Sequence, residues 1–138
     1  MKHSTLDLGS IGEHICAVRM LKNNIPCKVV NFETIDVLAY YEDRLVRIQV
    51  KSSTLKLDSS RYARKGYQFN LGVGGKTKRV MTNKDCDVIA LVGLEHEQVI
   101  FYPQDRLQQK TKRVSPKRFD NDDICLSSWK KTMSYLFG

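Results

Sequence analysis

Apolar residues recur at spacings of three and four over residues 8–21, at Leu8, Ile11, Ile15, Val18 and Leu21. That period predicts an amphipathic helix with one apolar stripe. Asn23, Asn24 and Pro26 stop it, and the period then changes to two. Cys27–Phe32 predicts a short strand. Ile35–Tyr41 and residues 45–51 predict an antiparallel hairpin across Glu42, Asp43 and Arg44. Alternation along these strands puts Asp36, Leu38 and Tyr40 on one face of the first. On the second, Leu45, Arg47, Gln49 and Lys51 share a face, with Val46, Ile48 and Val50 opposite.

Beyond a polar stretch at 52–65 the pattern predicts a strand at 67–71. A Gly-rich basic loop at 72–84 follows, carrying Lys76, Lys78, Arg79 and Lys84, and its composition suits a mobile surface segment. Strands are expected at 87–94 and 99–102, a short helix at 104–109, and a terminal helix at 126–137 with the stripe Leu126, Trp129, Met133 and Leu136. No repeat is visible. This order predicts an α/β domain with a mixed sheet, an antiparallel hairpin at its centre and helices flanking it. A length of 138 residues fits one domain, residues 1–138. The C-terminal extension from about residue 104 is a candidate for oligomerisation or DNA contact.

Composition narrows the partners. Twenty-three Lys and Arg against fifteen Asp and Glu give a formal charge of +8, which favours anionic ligands. No apolar run approaches a membrane span and the polar N-terminus has no signal-peptide core, so nucleic acid outranks a membrane. A cytoplasmic protein, nucleoid-associated when bound to DNA, is expected. The four cysteines (Cys16, Cys27, Cys86, Cys125) are scattered. They form no zinc-finger spacing and read as free, buried thiols.

An acidic residue near the start of one strand and a polar, apolar, Lys triplet on its hairpin partner gather Asp36, Gln49 and Lys51 at one end of the sheet. Gln49 and Lys51 share a face because the strand period is two, while Val50 points to the core. Singly, each has a plainer reading: a turn residue for Asp36, a solvated strand end for Lys51, a capping box with Ser10 for Glu13. The segment 72–77 invites a phosphate-binding P-loop reading, but the first required glycine falls at Asn70 and no long apolar helix follows Lys76. Asp85 and Asp87 read equally well as structural or chemical groups.

Taken together, the order of elements and these residues resemble the PD-(D/E)XK nuclease superfamily, from about Leu8 to Tyr102. Thr34-Ile35-Asp36 stands for "PD", Gln49-Val50-Lys51 for "(D/E)XK", and Gly12-Glu13 for the acidic residue that the first helix supplies in many members. More narrowly, IGEHICAVRMLKNN, IDVLAYY, LVRIQVKSS and DVIALVGLEHEQVIFYP are similar to the homing endonucleases encoded in cyanobacterial group I introns. Such an enzyme cuts an intronless allele so that repair copies the intron in. Two departures stand out: no Pro precedes Asp36, and Gln49 replaces the second acid.

The resemblance implies a restriction-endonuclease-like core and sequence-specific, Mg²⁺-dependent cleavage of double-stranded DNA. It implies catalytic roles for Asp36, Gln49, Lys51 and Glu13, and a Mg²⁺ held by Asp36, Glu13, Gln49 and the Val50 carbonyl. Candidate DNA contacts are Arg61, Arg64, Lys65, Lys76, Lys78, Arg79, Lys112 and Arg113. One site per subunit and two strands to cut imply a homo-oligomer, a dimer or a tetramer. A junction-resolving nuclease and a catalytically silent DNA-binding module on the same fold are the alternatives.

Overall fold

A computed structural model of the protein describes residues 5–55, 66–74 and 77–138. Helix α1 (Thr5–Lys22) is followed by β1 (Cys27–Phe32), β2 (Ile35–Tyr41) and β3 (Arg44–Ser53). After them come β4 (Tyr67–Asn70), β5 (Val88–Gly93), β6 (Gln98–Pro103), β7 (Thr111–Val114) and α2 (Ile124–Phe137). Five strands form one sheet in the order β1-β2-β3-β5-β6, while β4 and β7 pair separately.

Local chemistry explains the joints. Asn24, at φ 59°, ends α1 in the left-handed conformation that asparagine tolerates, and Ile25 N–H closes back on Met20 O at 2.9 Å. Glu42 and Asp43 make the β2–β3 turn with φ of 44° and 65°, both positive as a tight two-residue hairpin requires. Arg44, expected in that turn, is the first residue of β3.

The middle strand, β3, runs antiparallel to β2 as predicted, but parallel to β5. A parallel neighbour needs a long crossover, and here it is the segment that carries β4 and the basic turn. All six residues of β5 are buried, because both of its faces are covered. On one face, α1 and α2 enclose Val46, Ile48, Val50, Val88 and Ala90 with Trp129 and Met133. On the other, the β4–β7 ribbon and the chain from 71 to 86 enclose Ile89, Leu91 and Ile100 with Tyr67, Phe69 and Met81.

Several sequence expectations change here. Much of the α1 stripe is turned away from the core: Ile11, Val18 and Leu21 are 37–54% exposed, while Ile15 packs half-buried against it and Gly12, Cys16 and Met20 are buried. Gly12 lets the helix lie close on the sheet, and Cys16 and Met20 fill the core beside it. Because α1 begins at Thr5, Ser10 lies inside the helix and caps nothing. The described residues of the segment expected as a free loop at 72–84 are anchored instead. Val73 and Met81 are buried, and Val73 and Arg79 exchange two main-chain hydrogen bonds of 3.0 Å. The expected helix at 104–109 is a single 3₁₀ turn, Gln104–Arg106.

The terminal helix starts two residues early, at Ile124, and is core. Trp129 meets Phe101 edge-on at 5.0 Å. Ser128 Oγ accepts from Phe101 N–H and Thr132 Oγ1 donates to Phe101 O, which satisfies the free side of the edge strand β6. The four cysteines are unpaired, with burial pushing Cys86 and Cys125 up to about 12. No described helix is long and apolar enough to cross a membrane.

Candidate active site

The β2–β3 ladder extends from the hairpin turn only as far as the pair Val37 and Ile48. Beyond that point the strands part. Val50 N–H donates instead to the Asp36 carboxylate at 2.8 Å. Gln49 Nε2 donates to the same oxygen, Oδ2, also at 2.8 Å. Asp36 thus replaces a missing strand partner, and the gap it bridges is the mouth of the site.

Helix α1 supplies the next group. At Gly12 it presses so closely on β3 that a Cβ there would stand 1.6 Å from Ser52 Oγ and 2.8 Å from Ser52 Cβ. Only glycine permits that approach, and it sets the following residue, Glu13, within hydrogen-bond reach of Asp36. Lys51, two residues from Gln49 and on the same face, donates from Nζ to the Gly72 carbonyl at 3.0 Å.

Burial pushes Asp36 up to about 6, and the neighbouring Glu13 carboxylate adds to that; the Val50 N–H and Lys51 pull the other way. Burial likewise lowers Lys51, against the attraction of Asp36 and with the help of nearby Lys78. A cation between Asp36 and Glu13 would favour their ionised forms.

The residues fit a divalent cation. Gln49 Oε1 is buried with no hydrogen-bond partner, a costly state for an amide oxygen, while its Nε2 is occupied by Asp36. The amide is thereby oriented with its oxygen left over for a ligand. Among the described residues no cluster of three or more His, Cys, Asp or Glu side chains could hold a metal ion. A cation here would draw on the carboxylates of Asp36 and Glu13 and on neutral oxygens. Val50, its side chain in the core, can contribute only its main chain.

The basic candidates divide. Arg61, Arg64, Lys65 and Lys76 lie outside the described residues. Lys78 and Arg113 are exposed and Lys112 is half-buried; the Lys112 ammonium stands 5.8 Å from the centre of the Tyr102 ring. Arg79, its side chain 56% exposed, grips the buried Asp85 with its guanidinium through contacts of 2.7 and 2.9 Å. That grip holds the Asp85 carboxyl down at about 2. Asp87 receives Arg47 through both side chain and main chain. Both aspartates are thus structural. Sequence reading missed the Gly72 carbonyl and the role of Gly12. A glycine in mid-helix beside a candidate acid was a signal for the second; the first, a main-chain atom brought in by tertiary packing, had none.

The sequence profile of the PD-(D/E)XK endonucleases matches residues 3–125. Among solved structures, a bacterial homing endonuclease, I-Ssp6803I, is similar in fold, with a TM-score of 0.66 and 19% sequence identity over 81% of this chain and 78% of that one. No curated protein sequence matches.

Proposed function

The chain belongs to the PD-(D/E)XK endonuclease family, and on that premise we propose that it is a Mg²⁺-dependent, sequence-specific endonuclease for double-stranded DNA, of the intron homing type. The observation that carries the reading is the buried Gln49 Oε1, unpartnered beside Asp36, with Glu13 and Lys51 at the same strand end. A neutral amide stands where a second acid is usual, yet it is held as a ligand would be.

In this reading Asp36, Glu13, Gln49 Oε1 and the Val50 carbonyl hold the cation. When bound, Mg²⁺ supplies a Lewis acid at the phosphate and lowers the pKa of water beside it. Asp36 is fixed by two donors, so its remaining oxygen is presented in one orientation. Lys51 carries its charge beside the scissile phosphate, where it orients the attacking water and stabilises the negative charge that builds up in the transition state. Lys78, Lys112 and Arg113, with Arg61, Arg64, Lys65 and Lys76, contact the DNA backbone. Arg79 shapes the turn through Asp85. Two strands and one site per chain call for a homo-oligomer, a dimer or a tetramer, acting on DNA in the cytoplasm.

The test is incubation with supercoiled plasmid, branched junctions and duplexes carrying group I intron insertion sequences, each with Mg²⁺ or EDTA. Mg²⁺-dependent cutting confined to one insertion sequence is expected. Preference for junctions would make it a resolving enzyme. Binding without cutting would make it a silent module.

A further inference from the structure

The bond from Lys51 Nζ to the Gly72 carbonyl joins the strand end to the facing turn, and nothing in the proposed chemistry uses that turn. Gly72 is fixed from both sides. Leu71 and Val73 are buried, and Leu71 N–H donates to Lys110 O at 2.8 Å. Val73 is doubly hydrogen-bonded to Arg79, which Asp85 clamps in turn. The carbonyl is therefore held by main-chain bonds and by the ion pair of Arg79 with the buried Asp85, whereas Lys51 brings its ammonium on a flexible four-carbon stem.

One acceptor occupies one of three N–H donors. It fixes Nζ while leaving two donors for a phosphate oxygen and a water. The far strand of the turn bears directly on Gly72. A Cβ there would come 2.9 Å from Lys78 Cβ and 3.4 Å from Arg79 O, so Gly72 packs directly against Lys78, diagonal to the Val73–Arg79 bridge, with no space between them. Lys78 is exposed, with its ammonium resting on Gly74 O at 2.8 Å.

We infer that the main-chain carbonyl of Gly72 positions the catalytic ammonium of Lys51, and that the turn carrying Lys78 sets where that carbonyl stands. The inference rests on the nuclease reading above. It adds that the Lys51 position is governed from a segment that itself faces DNA, so contact at the turn and chemistry at β3 are mechanically linked.

The experiment compares wild type, Lys51→Ala, Gly72→Ala and the double variant Gly72→Ala with Lys78→Gly. For each, the single-turnover cleavage rate is measured at saturating protein with Mg²⁺, and DNA affinity with Ca²⁺ in its place. Gly72→Ala should slow cleavage by about 10- to 100-fold, the scale of a misplacement near 1 Å, with affinity within about twofold of wild type. The double variant removes the atom that the new methyl meets. It should bind more weakly yet regain most of the single-turnover rate, a recovery that mere damage to the fold would not give.

A folded Gly72→Ala protein cutting at the wild-type rate overturns the inference, as does a folded double variant no faster than the single. If Gly72→Ala does not fold, an ester in place of the Gly72–Val73 amide weakens that carbonyl as an acceptor and also removes the Val73 N–H bond to Arg79 O, so it disturbs both parts of the proposed support without adding an atom; an unchanged rate there overturns it equally. Lys51→Ala separates the two claims. Loss of cutting in Lys51→Ala with none in Gly72→Ala defeats this inference alone, while no Mg²⁺-dependent cutting by wild type defeats the nuclease reading and this with it.

Discussion

Asp36 does two jobs with one carboxylate: it completes the β3 main chain through Val50 N–H and it faces Glu13 across the site. Burial and Glu13 raise its pKa to about 6, so under the proposed function protons and Mg²⁺ compete for it near neutrality. At limiting Mg²⁺ the cleavage rate should fall about tenfold per unit as pH drops below 6, and saturating Mg²⁺ should move that fall to lower pH. A fall at the same pH at every Mg²⁺ concentration would assign it to another group. The same shift has a sign for stability without metal. The folded state holds the Asp36 proton more tightly than the unfolded chain, so this group's contribution becomes more favourable as pH falls from about 6 toward 4. Gln49 is the second residue-scale test. Gln49→Leu should raise the Mg²⁺ needed for half-maximal cutting by about tenfold or more, or abolish cutting, whereas Gln49→Glu should lower it. A metal titration of Gln49→Leu that superimposes on wild type would remove Gln49 from the cation site.

At the scale of elements, helix α1 shows where propensity and packing disagree. Gly12 lies in mid-helix, where alanine is intrinsically better by about 1 kcal/mol. A Cβ at that position would nevertheless collide with Ser52, and overpacking of this kind costs about 1–3 kcal/mol. Gly12→Ala should therefore lower the unfolding free energy, read from denaturant titration, by a net of up to about 2 kcal/mol, and Ser52→Gly should recover part of the loss. A Gly12→Ala protein more stable than wild type would contradict the close approach.

The helix was legible in sequence but its inward face was not. A helix apolar on two sides offers the large stripe of Ile11, Val18 and Leu21 as the obvious core, and only the close approach at Gly12 turns Cys16 and Met20 inward instead. The hairpin and the trio Asp36, Gln49 and Lys51 were legible because period-two patterns fix faces locally. The β4–β7 ribbon and the parallel β3–β5 pair were not, since both depend on pairings far apart in sequence. Residues 72–84 looked like free loop because glycine and lysine dominate the count. Val73 and Met81 anchor that segment all the same, through two buried side chains that composition does not reveal.

On the scale of the whole molecule, two cores on opposite faces leave β3 in the middle of the sheet, its chemical end framed by α1 on one side and the 71–86 segment on the other. Under the proposed function a net charge of +8 supplies general attraction to DNA, and the exposed cations localise it. Replacing Lys78, Lys112 and Arg113 together by Ala should flatten the log affinity against log salt slope by about 2–3. An unchanged slope would place all three off the DNA. The central claim, that these elements bring Asp36 and Lys51 together to cut a phosphodiester, is tested most directly by the single-turnover cleavage of duplex DNA by Lys51→Ala and Asp36→Ala, beside wild type, with Mg²⁺ and with EDTA. The account predicts that both variants fold and bind DNA while cleavage falls by at least about a hundredfold, and that EDTA abolishes cutting by wild type. Cleavage by either folded variant at near the wild-type rate would contradict it.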